Sequence, residues 1–252
     1  MDGYRRIELE NPFEGAPVFY RAVSGSTMQD ARELAGQGLP SGTAVVAGFQ
    51  TDGRGRFPER SWHARPDESL LFTLILRLRD IRPPAAALPL LAGLGTALAL
   101  EREFGLSPRV KWPNDLLIGG KKICGILCVS DDQAVLAGVG VNCRQVDFPA
   151  ELGGKAVSLA QVLKRPVAPH DLLPAVLREI RELVIGEPAW RPMLENRLFK
   201  RGERVLFSFG IGQTEHRVEG LLEGIDEFGQ ILIRLDEHEK ARAFPAGELV
   251  IL

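Results

Sequence analysis

Cysteine is scarce in this 252-residue sequence, and the three present are Cys124, Cys128 and Cys143. An odd number without framework spacing excludes a disulfide-built fold. Histidine is as thin: His63, His170, His216 and His238 stand isolated, so a zinc site would lack its remaining ligands. Cys124 and Cys128 therefore read as reduced packing thiols on one face of an apolar strand, and no metal site is expected. No run approaches the ~18–20 apolar residues of a membrane span, and Met1 to Glu10 carries charges where a leader would need an apolar stretch. Charge of one sign is also missing: the formal net charge is −2, which excludes a global pull toward nucleic acid. These absences predict a soluble cytoplasmic protein with neither a membrane nor a DNA partner.

What is present is an ordinary globular composition, 45% hydrophobic and 25% charged, in a chain long enough to bury a sizeable core. Helix and strand signals alternate at first. Ser26 and Thr27 can cap a helix running to about Ala35, with Gly36 and Gly38 to stop it. Thr43 to Phe49 and Ser69 to Leu78 read as buried strands, and the Gly- and Pro-bearing stretch between them as a loop. Ala85 to Phe104 is helical, with small residues around Gly93 and Gly95 that predict close packing against a sheet. Strands follow at Arg109 to Lys111, Lys122 to Val129 and Ala134 to Val141, with a tight turn at Gly119–Gly120. Helices are predicted from Pro169 to Val184, capped by His170 or Asp171 with Pro174 tolerable only in the first turn, and from Ala189 to Phe199. After Lys200 the pattern turns to short strands: Val205 to Phe209, Glu215 to Gly224, Ile231 to Leu235 and Ala241 to Phe244. Their spacing predicts a small β-barrel, dividing the chain at 1–199 and 200–252.

Three segments could carry chemistry. Gln50-Thr51-Asp52-Gly53-Arg54-Gly55-Arg56 follows an apolar strand; its glycines let a backbone approach a ligand and its arginines can grip an anion, although a solvated surface loop would look the same. In Lys111-Trp112-Pro113-Asn114-Asp115-Leu116 and on to Lys122, the side chains of Lys111, Asn114, Asp115 and Lys122 could share one cleft, or line an ordinary hairpin turn. Gly138-Val139-Gly140-Val141-Asn142 allows close backbone approach and offers an amide to a nucleotide. It is not a dinucleotide fingerprint, and Gly119-Gly120-Lys121-Lys122 is not a P-loop. No GxSxG or HExxH pattern occurs, so the familiar hydrolase readings fall away.

Taken in order, these segments resemble the catalytic domain of biotin protein ligases. The matching pieces are Ser26-Thr27, Gln50 to Arg56 with Trp62, Lys111 to Leu116, Lys122 to Leu127, Gly138 to Asn142, Ser158-Leu159 and the barrel-like C-terminus. The resemblance implies an α+β fold, a mixed sheet flanked by helices as in class II aminoacyl-tRNA synthetases, with a small C-terminal SH3-like β-barrel. It also implies ATP-dependent formation of biotinyl-5'-AMP and transfer of biotin to a lysine of a biotin carboxyl carrier domain, with Mg²⁺ bridging phosphates. By resemblance Arg54, Arg56, Lys111 and Lys122 are the catalytic cations. Ser26, Thr27, Met28, Gln50 and Gly55 join Arg54, Arg56 and Lys122 around biotin. Gly53, Trp112, Asn114, Asp115 and Asn142 join Arg54, Arg56 and Lys111 around ATP or the adenylate. Only some twenty residues precede the matching region, which predicts a ligase-only form without a repressor domain, and an edge strand near Val135 to Val141 would support a homodimer. Met28 replaces an Asn common in the family, removing a hydrogen-bonding amide. Phe57-Pro58-Glu59-Arg60 is less basic than in some relatives. The alternatives are a lipoate or octanoate ligase of the same superfamily, and a non-catalytic biotin- or carrier-binding module.

Overall fold

A computed structural model of the chain describes residues 3–57, 61–186, 188–210, 215–236 and 238–250. The larger sheet is built from β1 (Arg5–Ile7), β2 (Val18–Ser24), β3 (Ala44–Gln50), β4 (Ser69–Arg77), β5 (Arg109–Lys111), β6 (Asp115–Ile118), β7 (Lys121–Ser130) and β8 (Ala134–Asn142). Their spatial order is β1-β2-β3-β4-β8-β7-β6-β5. Strands β2 and β3 run parallel because helix α1 (Thr27–Gly36) connects them as a crossover, and the other neighbours pair antiparallel. The sheet is mixed, as predicted.

Strand β4 is buried along its whole length, so its alternate residues face two different layers. On one face Leu70, Phe72 and Leu74 join the main core with α2 (Leu88–Phe104) and α4 (Pro169–Ile185). On the other, Ile75 packs with Ala31, Leu34 and Ala35 of α1. That helix is ten residues long and covers only part of its face. The uncovered part is the floor of a cleft.

A second sheet takes the order β12-β11-β10-β9-β13, from β9 (Arg204–Phe209), β10 (His216–Ile225), β11 (Ile231–Leu235), β12 (Arg242–Phe244) and β13 (Glu248–Val250). Phe207, Phe244 and Leu249 share its interior and continue the main core through Trp112. Two further short helices, α3 (Leu159–Leu163) and α5 (Trp190–Glu195), complete the fold.

Several expectations need correction. Val135 to Val141 is not an edge: β8 lies between β4 and β7 and is hydrogen-bonded to both. The cap of α4 is Ala168, with Pro169 in the first turn, and Pro174 lies inside the helix. Strands β1, β2, β6 and β13 were not anticipated, and α5 stops well short of Phe199. Ala85–Phe104 spans 20 residues and is apolar enough to cross a membrane, yet 72% of its most apolar stretch is buried inside the fold. It is a core helix.

Candidate active site

The cleft occupies about 2070 Å³ between the open face of the larger sheet and the rim of the smaller one. Its floor is Leu71 and Thr73 of β4, Gly138 and Gly140 of β8, and Gly125 and Leu127 of β7. These positions alternate along their strands, so the same period that buries their neighbours brings them to one surface.

The polar end lies at the start of α1. Ser26 is the N-cap and half-buried, but its hydroxyl makes no capping bond. The Thr27 backbone N–H donates to Gln50 Oε1 at 2.7 Å, and the Thr27 hydroxyl donates to the same oxygen at 3.0 Å. Met28 lies beside them, and a Cβ at Gly138 would stand 2.9 Å from its Cε.

The cationic end joins three distant segments. Lys122, at the start of β7, places Nζ 2.6 Å from Asp115 Oδ1 and 5.8 Å from the centroid of the Trp62 ring. Lys111, at the end of β5, is buried, its Nζ 3.8 Å from Glu248 Oε1 of β13. In the loop after β3, Arg54 and Arg56 both line the cleft but are engaged separately. Arg54 pairs with Asp52 at 2.8 Å on the exposed side, an ion pair of small energetic worth. Arg56 donates to the Gly247 carbonyl at 2.7 Å, which ties the loop to the smaller sheet. Gly55 lines the cleft between them. Pro58, Glu59 and Arg60 lie outside the described residues.

Other sequence-predicted residues serve the cleft from beneath it. Asn114 lines it and donates to the Ile126 carbonyl at 2.8 Å, fixing the turn between β5 and β6 against β7. Trp112 is 2% exposed; its Nε1 donates to the Gly229 carbonyl at 2.9 Å. Gly53 is buried, and its carbonyl accepts from the Trp62 N–H at 2.9 Å. Asn142 does not reach the cleft: its amide donates to the Val157 carbonyl at 3.0 Å, and more weakly to that of Lys122 at 3.4 Å. The carbonyls of these segments are buried acceptors, and Asn142 satisfies them.

Gly140, one of the two glycines whose spacing suggested a close backbone approach, makes room for a side chain, as does Gly125. A Cβ on Gly140 would lie 2.8 Å from Trp62 Cε2, and one on Gly125 would lie 2.9 Å from Trp62 Cζ3. The indole thus lies flat on the sheet beside Lys122. The residue that sequence reasoning passed over is Thr73. Its hydroxyl reaches Thr27 Oγ1 at 2.8 Å, and an isolated Thr in an apolar strand carries no distinguishing pattern.

None of the three thiols is an activated nucleophile. Burial pushes the Cys128 and Cys143 thiols up to about 12, and raises that of Cys124 as well. All three are unpaired, and thiols held so high stay protonated at neutral pH. Among the described residues no group of three or more His, Cys, Asp or Glu could hold a metal ion. The cations that line the cleft suit it to holding an anion.

Residues 20–145 match the biotin/lipoate A/B protein ligase family. A biotin--[acetyl-CoA-carboxylase] ligase of Mycobacterium tuberculosis is 32% identical over 92% of this chain and 87% of its own length. The chain belongs to the biotin/lipoate A/B protein ligase family. Within this family, the bifunctional ligase/repressor BirA of Bacillus spizizenii is 39% identical over 62% of this chain, a match that spans 50% of that protein. The biotin protein ligase of Aquifex aeolicus, solved in complex with biotin and ATP, superposes with a TM-score of 0.79 at 26% identity, covering 92% of this chain and 97% of that one. The family fold, a large mixed sheet with few helices and a small C-terminal β unit, is the one described above.

Proposed function

We propose that this chain is an ATP-dependent biotin protein ligase that forms biotinyl-5'-AMP and passes biotin to a lysine of a biotin carboxyl carrier domain. The observation that carries the reading is that Arg54, Arg56, Lys111 and Lys122 line one cleft with the Thr27–Gln50 pair. In the first step a biotin carboxylate oxygen attacks the α-phosphorus of ATP and pyrophosphate leaves. Two anions must meet, and fixed cations lower that barrier by on the order of 10²–10³ in rate per donor. Lys122 approaches the carboxylate, its ammonium oriented by Asp115; Lys111 and the two arginines face the phosphates. Ser26, Thr27 and Gln50 face the ureido ring, with Met28 against its apolar side. In the second step the carrier lysine's amine attacks the mixed anhydride carbonyl and AMP departs, so the enzyme needs no Ser or Cys nucleophile.

Mg²⁺ belongs to this reading as the companion of the triphosphate, whose oxygens supply most of its ligands. Gly53, Trp112, Asn114 and Asn142 hold the nucleotide-facing segments in place. We place the domain boundary at 199/200, where the helical pattern gives way to the second sheet.

The test is pyrophosphate release from ATP and Mg²⁺ with a panel of acids, followed by labelling of a purified biotin carrier domain. Biotin should trigger release, and lipoate and octanoate should not; labelling by lipoate alone would sink the biotin assignment. Biotin binding without pyrophosphate release would identify a sensor. Lys122→Ala should reduce adenylate formation by on the order of 10²–10³, and near-normal turnover would mean that the reactive centre lies elsewhere.

A further inference from the structure

Gln50 can face the cleft in two ways, with its carbonyl or with its NH₂ group, and surrounding hydrogen bonds decide between them. The Thr27 N–H is a donor with no alternative role, and it lies 2.7 Å from the side-chain atom assigned as Gln50 Oε1. An NH₂ at that position would set donor against donor. The amide is therefore fixed with its oxygen toward α1. Because an amide oxygen can only accept, the Thr27 hydroxyl must spend its single proton on the same atom, at 3.0 Å. The contact of 2.8 Å between the Thr73 and Thr27 hydroxyls then has one allowed direction: Thr73 donates. Thr73 is 0% exposed, so no water competes for this bond.

We propose that Thr73 is a positioning residue that reinforces the polarity of the recognition end of the cleft. Its proton orients Thr27, Thr27 holds the Gln50 oxygen, and the Gln50 NH₂ is left to face the ligand as a donor. The cleft end then selects a substrate ring bearing a carbonyl acceptor and disfavours the same ring bearing a donor in that place. This inference rests on the ligase reading, since it names which edge of a cyclic urea the protein recognises.

Biotin and 2-iminobiotin provide the probe. In the latter a protonated C=NH₂⁺ donates where the biotin carbonyl accepts, and the rest of the molecule is unchanged. Affinities for both are measured by titration calorimetry on the wild-type chain, Thr73→Val and Thr73→Ser, with KM for ATP measured alongside. Thr73→Val keeps the shape and removes the donor. It should weaken biotin binding about tenfold, as for loss of one buried hydrogen bond. It should also narrow the preference for biotin over iminobiotin, because Gln50 keeps the Thr27 N–H but loses the oriented Thr27 hydroxyl and more often turns its oxygen to the ligand, and it should leave KM for ATP unchanged. Thr73→Ser, which keeps the hydroxyl, should restore both affinity and preference. Unchanged biotin affinity in Thr73→Val, or an equal loss for both ligands, overturns the positioning role while the ligase reading stands. A wild-type chain that binds neither ligand overturns the ligase reading, and this inference with it.

Discussion

One methyl group added to Gly140 would meet the Trp62 indole at 2.8 Å, closer than real Cβ contacts come, and the other side of that strand is packed core. The ring has to lift, and with it the surface on which Lys122 lies. Gly140→Ala is therefore expected to lower adenylate formation by up to about 10²-fold, as small misplacements at a reacting centre do, with little change in stability. The chain has three tryptophans, so the emission of Gly140→Ala is compared with that of Trp62→Phe to isolate the lifted indole. Unshifted Trp62 emission with full activity would show that the glycine is not reserved for the ring. At this scale the sequence was informative about residue type and less so about purpose. Lys111, Lys122, Arg54 and Arg56 all line the cleft, two from the hairpin segment and two from the glycine-bearing loop. Asn142 and Trp112 are committed to buried carbonyls, because a polar residue beside a strand serves a backbone acceptor as readily as a ligand.

Among elements, those with a long period were legible and those set by distant partners were not. The 17-residue α2 was readable from its run of apolar and small residues, and Gly93 does lie against the sheet, a Cβ there falling 3.4 Å from Ile126 Cδ1. Gly95, however, faces α4: its Cβ would fall 2.9 Å from the Ile180 backbone nitrogen. Nothing in α2 alone reveals which neighbour a small residue admits. The three-residue β1 and four-residue β6 are too short to show a period and exist through their pairing. In the first turn of α4, His170 was expected to cap but instead packs edge-on to Tyr20, ring centroids 5.2 Å apart. Burial pushes its imidazole below the usual value, and Arg144 and Arg5 add to this against Asp67 and Asp171. The neutral ring is favoured in the fold, so its contribution to stability is present above about pH 6.5 and lost as pH falls through the depressed folded value. Melting temperatures measured at about pH 7.5 and about pH 5 should fall less in His170→Phe, which keeps the edge-on contact without a titrating group. An identical fall in both proteins would assign the acid sensitivity to other groups.

For the whole molecule, the change to closely spaced strands after Lys200 announced a second unit, and a five-stranded sheet is there. Its relation to the first was not legible, since β13 was not anticipated and every contact across the cleft joins residues far apart in sequence. Those contacts are specific. Trp112 Nε1 bonds to Gly229, the Trp112 ring lies 5.8 Å from that of Phe207, Lys111 meets Glu248, and Arg56 meets Gly247. One apolar core runs through both units, from Leu88 and Val110 to Ile231 and Phe244. Two units that share a core should not melt separately, because unfolding either one exposes apolar surface on the other. Calorimetry is expected to show a single transition with matching calorimetric and van't Hoff enthalpies. Trp112→Phe sharpens the test: it preserves an aromatic ring against Phe207 and strands the Gly229 carbonyl without its donor. The cost should be about 1–3 kcal/mol, lowering Tm by roughly 2–4 °C per kcal/mol for a chain of this size. The transition should stay single, since the shared core remains. If a second, earlier transition appeared in the wild-type chain, the smaller sheet would be an independently folding module, and the cations it clasps at Lys111 and Arg56 would be held by a part that can come away.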